Sequence, residues 1–98
     1  MPTTHKKFEM GRLVATAGVA SDMHKDPAFD AFVKTSLDRH LSGDWGALSS
    51  EDAESNDAAL ESGEDRIFSV YYTPYGAKLW IITEWDRSVT TVLFPEDY

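Results

Sequence analysis

Arg66-Ile67-Phe68-Ser69-Val70-Tyr71-Tyr72-Thr73 runs into a Pro74-Tyr75-Gly76 break and resumes as Lys78-Leu79-Trp80-Ile81-Ile82-Thr83-Glu84. It turns at Asp86-Arg87 and continues as Ser88-Val89-Thr90-Thr91-Val92-Leu93-Phe94. Three runs rich in β-branched and aromatic residues, parted by short turns, predict an antiparallel β-meander. Parity separates the faces: Phe68, Val70 and Tyr72 lie opposite Ile67, Ser69, Tyr71 and Thr73, while Leu79, Ile81 and Thr83 oppose Trp80, Ile82 and Glu84. Both faces of the central run are apolar. Helices can cover one, and the other needs the N-terminal segment or a second subunit, which makes it a candidate homodimer surface.

Upstream, Arg12-Leu13-Val14-Ala15-Thr16 is a short apolar run between Gly11 and Gly18 and reads as a fourth strand. Asp26-Pro27 starts a helix, with Asp26 as the cap and Pro27 at the first helical position. Phe29, Phe32, Val33, Leu37 and Leu41 give it an apolar stripe, and Gly43 ends it. After the Gly43-Asp44-Trp45-Gly46 turn, Ser49-Ser50-Glu51-Asp52 opens a second helix that stops before Gly63. The expected fold is therefore α+β: a strand, two helices, then a three-stranded antiparallel β-meander, with the helices packed on one sheet face. Residues 1–98 read as one domain, with residues 1–9 a mobile or lightly anchored N-terminus.

With 98 residues, the chain buries roughly two-thirds of its unfolded surface. It has no cysteine, which fits a reducing compartment and excludes disulfides and thiolate metal sites. No apolar run has signal-peptide or membrane-span length, so a soluble cytoplasmic protein with no membrane partner is expected. Seventeen acids against nine Lys and Arg give a net charge of −8, the wrong sign for direct nucleic-acid binding by counterion release.

The acids are concentrated. From Asp44 to Asp65 the chain carries eight, namely Asp44, Glu51, Asp52, Glu54, Asp57, Glu61, Glu64 and Asp65, and no Lys or Arg. The helix dipole accounts for Glu51 and Asp52 but opposes Glu61 and Glu64, and Asp57 with Glu61 is a like-charged pair four apart. A segment that accepts such penalties reads either as a solvated helix or as negative charge displayed for a basic protein surface. Tyr75, at a turn tip, is a candidate contact anchor.

Other chemistry is sparse. His5, His24 and His40 share no metal-ligand spacing, and His40 falls near a helix end where positive charge is favourable. P-loop, dinucleotide and nucleophile-elbow motifs are absent, so no cofactor, metal or catalytic residue is assigned. A hydrolase using Asp44 with Asp57 or Glu84 is the enzymatic alternative. Trp45, Trp80 and Trp85 read as packing residues.

Several stretches resemble a family of small bacterial proteins described as plasmid-related. They are Gly11-Arg12-Leu13-Val14-Ala15-Thr16, Arg39-His40-Leu41-Ser42-Gly43-Asp44-Trp45-Gly46, Asn56-Asp57-Ala58-Ala59-Leu60, and most of Lys78 to Pro95, with Trp85 replacing an expected small residue. The resemblance implies a mobile genetic element, plasmid or phage. By analogy it implies an inhibitor of host defence of the anti-CRISPR kind, whose partner would be a CRISPR effector subunit. It supplies no catalytic residues.

Overall fold

A computed structural model describes residues 6–98. The element order is β1 (Arg12–Ala15), α1 (Ala17–Lys25), α2 (Pro27–Leu41), α3 (Ser50–Ser62), β2 (Ile67–Tyr72), β3 (Lys78–Thr83) and β4 (Val89–Leu93), closed by a 3-10 turn at Pro95–Asp97. The architecture is mixed α+β, with three helices and one four-stranded sheet in the order β1-β4-β3-β2. The sheet is not a purely antiparallel meander. β2–β3 and β3–β4 pair antiparallel, whereas β1 joins β4 in parallel, with Leu13 beside Thr90 and Ala15 beside Val92. Apolar periodicity in β1 shows that it is a strand but carries no information about its direction.

The second departure is α1. Gly18 closes no strand but lies, with His24, on this helix. Two turns containing Gly18 are intrinsically weak. Burial of Val19 and Met23, four residues apart, against Phe29, Val33, Tyr71, Leu79, Ile81 and Val92 supplies the missing stability. α2 starts as expected, with the Asp26 side chain accepting from the N–H groups of Ala28 and Phe29.

The inward sheet residues Ile67, Ser69, Tyr71, Leu79, Ile81, Thr83, Thr90 and Val92 are all buried under the helices. A second cluster, Trp45, Ala59 and Ile67, lies under α3 with Phe8 and Leu48 against it. Residues 1–5 of the expected N-terminal tail fall outside the described residues. Within 6–9, the Lys7 N–H donates to Leu41 O at 2.8 Å, and the Phe8 ring meets His40 and Trp45. This portion is docked on the fold. Among the described residues no helix is long and apolar enough to cross a membrane.

Candidate functional site

The acidic segment is positioned by α3 and the loops at its ends. Ser49 Oγ accepts the Asp52 N–H at the start, and Gly63, in the left-handed region at φ 70°, ends the helix. Its inward face is small: Ala59 is fully buried, and Asn56 lies against the outer edge of β2. Asn56 Nδ2 donates to Phe68 O at 2.6 Å, and Asn56 Oδ1 accepts the Phe68 N–H at 3.1 Å. That pair of hydrogen bonds fixes the rotation of α3 about its axis. Glu51, Glu54, Asp57 and Glu61 are consequently exposed, in a stripe about 15 Å long at 1.5 Å per residue. Asp52, Glu64 and Asp65 are exposed as well.

Two of the expected contact carboxylates are engaged internally. Asp44 makes a two-point pair with Arg39, Nε to Oδ2 at 2.7 Å and Nη2 to Oδ1 at 3.1 Å. The Arg39 guanidinium holds the Asp44 carboxyl below its ordinary range. Asp57 Oδ1 accepts the Trp45 indole N–H at 3.1 Å, which ties α3 to the preceding loop. Asp44 is not set up as a general acid. A general acid needs its pKa raised, and that of Asp44 is lowered. Glu51, Asp52, Glu54, Asp57, Glu61, Glu64 and Asp65 make no ion pair with Lys or Arg among the described residues.

Arg87 relieves the local conflict at the end of α3. Its guanidinium donates to Ala59 O at 3.1 Å and to Asp65 O at 2.6 Å, and also to Glu84 O and Trp85 O. A cation on the last turn opposes the dipole penalty on Glu61 and Glu64. Arg87 does not act through the carboxylates of Glu84 or Asp86, the partners that its position in the sequence suggests.

Tyr75 is 70% exposed, as a turn-tip anchor requires, but its hydroxyl is taken, donating to Asp26 Oδ2 at 2.6 Å. That contact spans one side of a groove of about 670 Å³ whose walls include Lys25, Phe29, Lys78, Phe94 and Glu96. Among the tryptophans, Trp45 is buried, while Trp85 is 62% exposed rather than a packing residue.

The feature hardest to anticipate from sequence is a buried polar chain under α2. His40 is fully buried, not a solvated helix-end histidine; Nδ1 lies 2.6 Å from Ser69 Oγ and Nε2 2.9 Å from Thr83 Oγ1. Burial lowers its pKa to about 3. Although this is a Ser–His contact, Ser69 is also wholly buried, so no substrate can reach its hydroxyl in this conformation. The alternation of Ser69, Thr83 and Thr90 with apolar inward neighbours was the available signal.

Comparison with protein-family models, curated proteins and solved structures returns no match.

Proposed function

We propose that this chain is a non-enzymatic binding protein that docks on a cationic protein surface through α3 and its flanking loops, competing there with nucleic-acid phosphates. One observation carries the reading. Seven carboxylates between Glu51 and Asp65 are exposed and lack a basic partner among the described residues, five on a helix locked to the sheet by Asn56 and two, Glu64 and Asp65, on the loop that follows it. Carboxylates held in this way present Arg and Lys with oxygen acceptors, as a phosphate backbone does, and cost little further ordering on binding. Asp44 falls outside this surface because Arg39 neutralises it.

The class of partner comes from the resemblance to plasmid-related proteins, which points to a defence complex of the host cell such as a CRISPR effector. The test measures target-DNA binding by a purified effector in the presence of this protein, at low and high salt. Inhibition that weakens with salt is expected. The triple variant Glu51→Lys, Glu54→Lys and Glu61→Lys should abolish it; Asp57 is left intact because it holds Trp45. Undiminished inhibition by that variant, with its fold intact, removes α3 as the contact surface.

A further inference from the structure

The two edges of the sheet are treated differently. The β2 edge is covered at its centre: Asn56 occupies the outward N–H and C=O of Phe68, and the 45–47 segment occupies those of Val70, which leaves only Tyr72 at the strand's end. Specifically, the Val70 N–H donates to Trp45 O at 3.2 Å and the Ala47 N–H to Val70 O at 2.8 Å, with Gly46 bridged in parallel to Val70. Gly46 is required here, since its φ is +72° and a Cβ would lie 2.0 Å from Val70 O. Such covering blocks strand addition along the body of β2.

The β1 edge has no equivalent. In a parallel ladder alternate residues address the neighbouring strand. The Arg12 N–H bonds Ser88 O and the Thr16 N–H bonds Val92 O, which identifies Arg12, Val14 and Thr16 as the residues turned towards β4. Leu13 and Ala15 direct their N–H and C=O groups outwards, and no loop or side-chain hydrogen bond reaches them among the described residues. Leu13 is also 48% exposed.

We propose that the occupant of this edge is a second copy of the chain, with β1 paired antiparallel to its counterpart about a two-fold axis at Val14. The register is self-complementary. Leu13 and Ala15 of one copy face Ala15 and Leu13 of the other, so each pair exchanges two hydrogen bonds and the edge is satisfied by four. Side chains agree with it: bulky Leu13 meets small Ala15, Val14 meets Val14, and Arg12 meets Thr16, with no like charges directly opposed.

Charge supports the same choice. The acidic helix flanks β2, about 14 Å from β1 across three strand spacings, so repulsion between copies of charge −8 is least at the β1 edge. The open sheet face is less suited to self-pairing. Arg12, Arg66 and Lys78 share it with Trp80, Tyr72 and Tyr98, and face-to-face contact would bring these cations together. The pairing yields one continuous sheet with an acidic helix at each end. It goes beyond the acidic-face reading and does not depend on it.

The test is sedimentation together with residue-level amide exchange on the full chain, from micromolar to millimolar concentration. A monomer–dimer equilibrium is expected, with the Leu13 and Ala15 amides slowing as concentration rises while Arg12 and Val14 stay slow throughout. Leu13→Pro removes only an outward N–H and should give a monomer with unchanged circular dichroism. A concentration-independent monomer overturns the proposal. So does a dimer in which the Leu13 and Ala15 amides still exchange freely, and the exchange measurement decides even if Leu13→Pro fails to fold.

Discussion

His40 Nε2 lies 2.9 Å from Thr83 Oγ1, and the direction of that hydrogen bond follows from its neighbours. Thr90 Oγ1 donates to Met10 O at 2.7 Å, because a carbonyl can only accept. Thr90 must then accept from Thr83 at 2.7 Å, and Thr83, its proton spent, must accept from His40. The imidazole therefore carries its proton on Nε2, and Nδ1 accepts from the Ser69 hydroxyl at 2.6 Å. A neutral ring satisfies every member of the chain. A second proton on Nδ1 would confront the Ser69 donor and place a charge in the core.

Stability should accordingly fall with acid before most carboxylates protonate. The folded pKa of His40, about 3, lies below its ordinary 6.5, so the unfolded chain takes up the proton first. The contribution is complete above pH 6.5 and is lost as pH falls towards 3, at about 1.4 kcal/mol per pH unit and on the order of 4–5 kcal/mol in all. The lowered carboxyls of Asp26, Asp44 and Asp86 add losses only below their ordinary 3.8. Urea unfolding between pH 6.5 and 4 isolates the histidine. A His40→Gln variant should be less stable at neutral pH yet much flatter across this window; an unchanged slope would assign the effect elsewhere.

Asn56 is placed to show how far one side chain secures the acidic helix. Asn56→Ala leaves the Phe68 N–H and C=O without partners at a nearly buried edge, at a cost of about 2–3 kcal/mol. Asn56→Asp should cost more despite its similar shape. A carboxylate can accept from the Phe68 N–H but sets a second oxygen against Phe68 O, which lies 2.6 Å from the native donor. Chemical denaturation should rank the chains native, Ala, Asp in falling stability. An Asp variant as stable as the native chain would show that the donor half of the contact contributes nothing.

Much of this arrangement is legible in the residues themselves, for reasons that are local. Asp26-Pro27, Ser49 and Gly63 mark helix ends because caps act within a few residues, and the three C-terminal strands follow from period-two patterning. What escaped depends on contacts distant in sequence. α1 owes its existence to packing of Val19, and the direction of β1 to its pairing with β4, 77 positions on at Arg12–Val89. The candidate surface divides in the same way. The run of acids is visible as composition, but the pairing of Asp44 with Arg39 and of Asp57 with Trp45 had to be seen in space. The setting of His40 is equally non-local: the dipole at its helix end is a local cue, whereas its partners Ser69 and Thr83 lie on two separate strands.

Arg87 combines a strained backbone with an extensive side-chain role, and the two can be separated. Its φ of 61° lies in the left-handed region, which costs a non-glycine residue about 1–2 kcal/mol. The guanidinium outweighs that cost by bridging carbonyls from the end of α3, the following loop and its own turn. Arg87→Ala keeps the strain and loses the bridges, so it should be the most destabilising change, by about 2–3 kcal/mol given partial exposure. Arg87→Gly loses the same bridges but relaxes the backbone, and should recover about 1 kcal/mol of that loss. Arg87→Lys retains a charge near the helix end without the planar fork that reaches several carbonyls, and should be milder than Ala. Thermal and denaturant unfolding of the three variants checks the order. If Gly proves no better than Ala, the positive φ carries no cost here, and the whole effect of Arg87 belongs to its side chain.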